Sequence, residues 1–169
     1  VESRGLGDVY KRQGLKDKER IIGLIEGAKQ LLNHAETADK ASICYSLGTA
    51  YGDLIEFDLF HEKEDIQNHQ IFYLRESINY IESDEMQRAE YKPYVNGLKL
   101  NLYTNYGNAL DRIGRKIAAI EQYRKALSIN ANFGMALGNL GVAYQHYCML
   151  LHDSEDRDIL HKFSYHYLT

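Results

Sequence analysis

Two stretches of this 169-residue chain repeat one another at a fixed distance. Tyr103–Leu110 aligns with Leu137–Tyr144, so that Asn105 falls on Asn139, Tyr106 on Leu140 and Gly107 on Gly141, 34 residues apart each time. A fixed period of that length means one supersecondary unit per repeat, each too small to bury its apolar face alone and therefore stacked on a neighbour. The units are expected to be helical. Upstream, Ile21, Ile22, Leu24, Ile25, Ala28, Leu31, Leu32 and Ala35 recur at the i, i+3, i+4, i+7 spacing of a helix with one face inward. No stretch sustains the alternation of a strand, and Asn96-Gly97, a hairpin pair in other settings, lies inside a helical pattern. The single proline, Pro93, leaves room for long helices, since proline breaks a helix interior. The expected fold class is all-α, built of antiparallel helix-turn-helix repeats with about seven helices.

Local signals set the boundaries. The spacing predicts a first helix near 15–35. Thr37 or Asp39 can cap a second that runs to about Phe60, and the polar run His61–Asp65 separates it from a third near 65–82. Ser83 and Asp84 interrupt the pattern, and Pro93 suits the first turn of a fourth helix near 93–113. Gly114 ends it. A fifth is expected at 116–129, a sixth at 133–151, and a seventh after Asp153 or Ser154, with Glu155 and Asp156 favourable in its first turn.

Composition excludes several classes. With 44% hydrophobic residues the chain can build a core. No apolar run approaches the ~18–20 residues of a membrane span. Two cysteines make no disulfide framework, and a net charge of −4 gives no general attraction to nucleic acid. The first thirteen residues, VESRGLGDVYKRQ, carry neither a starting Met nor a helical or strand period, and lack the apolar stretch of a signal peptide. They resemble translated sequencing-adapter sequence and are expected to be a non-native leader, 1–13. Without them 17 basic and 22 acidic residues remain. The domain is then 14–169, with its clearest repeat at 100–133 and the next unit starting at 134. The apolar stripe Ile159, Leu160, Phe163, Tyr167 and the lack of a helix stop signal near Thr169 suggest truncation at the C-terminus.

The period and its spacing resemble those of tetratricopeptide-repeat proteins. Relative to Gly107 that pattern places a small residue twelve positions on, an aromatic at sixteen and a small residue at nineteen, and the chain has Ala119, Tyr123 and Ala126 there. The resemblance implies that Gly107 and Ala119 let the two helices of a unit approach, that Tyr123 fills the space beneath, and that Ala126 meets the next unit. The repeat's usual proline is replaced by Ala131. Weaker copies lie upstream: Leu47-Gly48 with Tyr51 matches Leu140-Gly141 with Tyr144, and Ala28, Leu32 and Ala35 keep the spacing of Ala119, Tyr123 and Ala126. Gly48 lies 59 residues before Gly107, so the unit between is expanded, with a lengthened second helix expected around 65–90.

The runs Thr104–Asp111 and Ile129–Gly141 also resemble bacterial proteins in which a tetratricopeptide region precedes a HEPN domain (higher eukaryotes and prokaryotes nucleotide-binding). Many HEPN domains are metal-independent ribonucleases of toxin or phage-defence systems, whose motif is an Arg, a polar residue and a His. Arg157, Asp158 and His161 come near it with a spacing one residue short. The resemblance therefore implies a catalytic domain beyond residue 169 and an inert, regulatory segment here.

Catalytic signatures are otherwise missing: there is no glycine-rich phosphate loop, no HExxH and no CxxC. Cys44 and Cys148 read as small core hydrophobes. His61, Asp65 and His69 share a helix face but begin in the expected break. No cofactor, no metal and no enzymatic activity are expected. The tetratricopeptide resemblance implies a concave groove lined by the first helices of successive units, here through Asn101, Thr104, Asn105, Asn108, Asp111 and Arg112, then Met135, Asn139, Val142 and Gln145, with Ser42, Tyr45, Thr49 and Asp53 upstream. Asparagine amides both donate and accept, so they can hold the backbone of an extended peptide; Asn105 and Asn139 are expected to stack. The expected partner is a protein or peptide, or a C-terminal domain of the same chain, in a cytoplasmic setting, with no nucleic acid and no membrane.

Overall fold

A computed structural model describes residues 2–57, 63–150 and 154–168, with side chains described for 17–55, 64–150 and 154–167. Among these residues there are seven α-helices, one 3-10 turn at Ala89–Tyr91 and no strand: α1 (Glu2–Leu32), α2 (Thr37–Phe57), α3 (Lys63–Ile81), α4 (Lys92–Arg112), α5 (Lys116–Ile129), α6 (Gly134–Cys148) and α7 (Ser154–Leu168). The chain is all-α. It divides into two compact units, Val1–Tyr80 and Ile81–Thr169.

In the first unit α1 packs on α2. Ile25, Cys44, Leu47, Tyr51, Leu54, Ile55, Ile66 and Tyr73 form the core, with Ile21, Ala28 and Leu32 against it. The α2–α3 contact is close because α2 carries glycine at 48 and 52. A Cβ on Gly48 would sit 2.5 Å from Leu74 Cγ, and one on Gly52 2.5 Å from Gln70 Nε2. Ser77 closes the same seam by donating to the Ala41 carbonyl at 2.7 Å. α1 starts well before the expected position near 15. The lengthened helix expected around 65–90 does not form: α3 stops at Ile81. Gln87 Nε2 caps the Ile81 carbonyl at 2.7 Å, and Met86 and Gln87 donate backbone N–H groups to the Ser83 carbonyl, so the insertion folds as a turn over the buried Met86.

In the second unit α4 packs on α5, α5 on α6, α4 on α6 and α6 on α7. Pro93 stands in the first turn of α4. At its other end Gly114 takes φ +82, a left-handed conformation easy only for glycine. The Gly114 N–H donates to the Asp111 carbonyl and the Arg115 N–H to the Leu110 carbonyl, the paired bonds of a Schellman stop. Where the expected proline is missing, Asn130 supplies the stop. Its Oδ1 accepts from the Asn132 N–H at 3.0 Å, an Asx-turn around Ala131 that directly follows the end of α5 at Ile129. Leu110, Ala119, Ile120, Tyr123, Leu140, Ala143 and Tyr144 make the core; Ala126 and Gly141 are also buried. Gly107 meets the Tyr123 ring: a Cβ there would lie 2.5 Å from Tyr123 Cε1.

Candidate functional site

The second unit carries an open cleft of about 290 Å³ between α4 and α6, with Tyr123 of α5 reaching its floor. It is lined by Asn108, Asp111, Arg112, Tyr123, Asn139 and Val142. Tyr123 is 2% exposed, and its hydroxyl donates to Asn108 Oδ1 at 2.8 Å. Asn139 Nδ2 donates to that same oxygen, also at 2.8 Å. One amide thus joins helices of successive repeats through the ring that fills Gly107's vacancy. Burial, with the Asp111 carboxylate nearby, pushes the Tyr123 phenol well above its ordinary value, so the hydroxyl keeps its proton and stays a donor.

Asp111 ties the far end of the cleft. Its Oδ1 accepts from Lys116 Nζ at 2.9 Å, across the Gly114 turn. His146 Nδ1 of α6 lies 3.8 Å from Asp111 Oδ2 and 3.4 Å from Lys116 Nζ. Sequence reading passed over this junction. Its signal was weak, a Lys five residues after an Asp across a glycine turn, with the His thirty residues further on.

Of the residues expected to line a groove, the cleft brings together Asn108, Arg112 and Asn139, with Asp111 and Val142. Asn101 and Asn105 are half-buried on α4 outside that lining, and Met135 and Gln145 are exposed on α6. Gln145 opens instead on a shallow hollow of about 550 Å³ with His161, Lys162, Ser164 and Tyr165. Thr104 is a correction: it is 1% exposed, and its hydroxyl donates to the Leu100 carbonyl at 2.8 Å, so it faces no groove. Asn139 donates to Asn108 of α4, one turn beyond Asn105. In the first unit Thr49 turns its hydroxyl to the Tyr45 carbonyl at 3.0 Å, while Ser42 is half-buried and Asp53 exposed.

That unit has its own hollow of about 360 Å³ among α1, α2 and α3. The Tyr51 ring on its wall stacks with His69 at 5.0 Å and Tyr73 at 5.7 Å, with Lys29 Nζ 5.5 Å from its centroid. Its hydrogen bond to Tyr51 raises the Lys29 pKa. His69 Nδ1 lies 2.8 Å from the Asp65 carbonyl, which can only accept, so that nitrogen carries the proton. Of the candidate ligand set, His61 lies outside the described residues; among the described ones no three His, Cys, Asp or Glu side chains are placed to hold a metal. Arg157, Asp158 and His161 are exposed on α7, and the Arg157 carbonyl accepts the Cys148 thiol at 3.6 Å. Among the described residues no helix is long and apolar enough to cross a membrane.

No protein-family model matches the chain, and no curated protein matches it significantly. The fold and cleft together define an all-α chain of helical hairpins with a polar recess between successive first helices.

Proposed function

We propose that the second unit is a tetratricopeptide-like binding module that holds an extended peptide, or a partner's extended segment, in the α4–α6 cleft, with no chemistry of its own. The hydrogen-bonded chain Asn139–Asn108–Tyr123 carries this reading. Asn108 presents its oxygen inward, to Tyr123 and Asn139, so its NH2 and the Asn139 oxygen remain for the cleft. One donor and one acceptor then stand side by side, which is what a peptide unit needs. The α4–α6 contact beside the α4–α5 and α5–α6 contacts, and the 34-residue spacing, support the repeat reading.

The test is selection from a displayed library of random peptides on the full chain. Enriched peptides should bind in solution and lose about tenfold or more in affinity with Asn139→Ala or Val142→Glu, about 1.4 kcal/mol. Both variants should keep the helical circular dichroism of the parent. Failure to enrich any peptide, or binding by both variants as tight as the parent's, would reject the proposal.

A further inference from the structure

The α6 wall of the cleft carries no charge. Residues 126–152 contain no Lys, Arg, Asp or Glu, although such residues make up 26% of the chain. Packing between helices does not by itself remove charge: α5 packs against α4 and α6 and still carries Lys116, Glu121, Arg124 and Lys125. On α6 Met135 is 55% and Val142 39% exposed, and Gln145 is exposed too. Exposed helix positions are where charged side chains ordinarily stand, and here each is neutral.

Position adds to charge. Met135 stands four residues before Asn139 and Val142 three after it, so the three side chains share one face of α6. Val142 lines the cleft beside Asn139. The two charged members of the lining, Asp111 and Arg112, both stand on α4, and Asp111 is bonded to Lys116. A backbone held at Asn139 therefore has Val142 about 4.5 Å along the helix in one direction and Met135 about 6 Å in the other. An extended chain advances about 3.3 Å per residue, so both lie within about two residues of the held peptide unit.

We infer that the cleft selects an uncharged segment with an apolar side chain next to the held peptide unit. Val142 takes that side chain, and Met135, whose thioether adapts to many shapes, takes a second on the other side of Asn139. A charged side chain set against Val142 would give up water and find no counter-charge on α6 in return. The inference rests on the peptide-binding reading above and adds to it the side chains that the peptide must carry.

The experiment takes a peptide enriched on the full chain and replaces each of its positions in turn by Leu, Ser, Lys and Glu, with affinity read by fluorescence anisotropy. One position should favour Leu over both Lys and Glu by about tenfold or more. Val142→Ser should reduce that preference several-fold, and in Val142→Lys the Glu peptide should bind better than the Lys peptide. Met135→Ser should weaken the preference for Leu at a second position and leave the first unchanged. Affinity of the Leu peptide should change by less than about twofold between low and high salt. The altered side chains are exposed, so the variants should keep the parent's helical circular dichroism. Peptides that bind through Asn139 but accept Lys or Glu at every position, or that weaken steeply with salt, overturn this inference and leave the peptide-binding reading standing. A selection that enriches no peptide overturns both.

Discussion

Gly107→Ala and Gly97→Ala are the same substitution in the same helix, and the packing around them predicts opposite outcomes. Nothing lies within 4 Å of a Cβ on Gly97. Alanine there gains only the helix preference it holds over glycine, about 0.5–1 kcal/mol of stabilisation. A Cβ on Gly107 meets Tyr123 Cε1 at 2.5 Å, Cδ1 at 2.8 Å and Cζ at 3.0 Å. The ring cannot swing away, since it is buried among Leu110, Ala119 and Leu140 and its hydroxyl is anchored on Asn108. Overpacking of this kind costs about 1–3 kcal/mol. After the preference gain, a net loss of up to about 2.5 kcal/mol is expected, and a gap of about 1–3 kcal/mol between the two variants, which share that gain. In a unit of this size each kcal/mol moves the thermal midpoint by roughly 4–8 °C. Urea titration followed by circular dichroism reads the difference directly. Tyr123→Leu in the Gly107→Ala background should restore part of the loss, because the two changes share one space and are not additive. If Gly107→Ala stabilises the chain as Gly97→Ala does, the close approach of α4 to the Tyr123 ring is not real.

Three further outcomes are expected. Ser164→Ala, which removes the buried hydroxyl donated to the Gly141 carbonyl at 2.9 Å, should lower stability by about 0.5–1.5 kcal/mol in urea titration; no change would mean that the α6–α7 seam is held by its aromatic rings alone. Burial raises the Cys44 thiol to about 11, so in the native chain at pH 8 its alkylation by iodoacetamide should run about a hundredfold slower than in denaturant, as read by mass spectrometry; equal rates would show the thiol accessible. Tyr103 and Tyr123 both have phenols raised above the ordinary value of 10, chiefly by burial. A group with a raised native pKa stabilises fully below its unfolded value, and that share of stability is lost as pH climbs from about 10 toward the native value. Absorbance near 295 nm should therefore show these phenols ionising together with loss of helical signal, and early ionisation with helices intact would contradict their burial.

Helix ends were legible wherever a local chemical signal marks them. Pro93 in the first turn of α4 and Gly114 at its end each act within one turn, and α2, α4, α5 and α7 begin within a few residues of the expected positions. The start of α1 was not legible because residues 2–14 carry no apolar period. The candidate cleft was legible in part: the 34-residue period sets α4 beside α6, but the bond that joins them runs from Asn139 to Asn108, 31 positions earlier, a pairing that the repeat alignment does not pick out. Thr104 was misplaced for a different reason. A hydroxyl that returns to its own helix carbonyl can be buried without an outside partner, and residue type alone does not separate that case from an exposed one.

The hairpin that follows α6 shows what the repeat depends on. Sixteen residues after Gly107 stands Tyr123, whose ring fills the space at that glycine. Sixteen after Gly141 stands Arg157, which is exposed. The period therefore ends there. α5 starts nine residues after Gly107, whereas α7 starts thirteen after Gly141, at Ser154. That shift brings the small Ser164 onto the Gly141 carbonyl, and the lost aromatic is replaced from the other direction. Tyr144 of α6 stacks with Tyr167 at 5.9 Å and packs against Phe163 at 5.8 Å, while Arg124 of α5 donates to the Tyr144 hydroxyl at 2.6 Å. The ring that α5 sends toward α4 in the first hairpin is thus supplied by α6 in the second. A glycine therefore defines a repeat unit here only together with the ring that occupies its vacancy, and a period counted on glycines alone overstates how far the repeat runs.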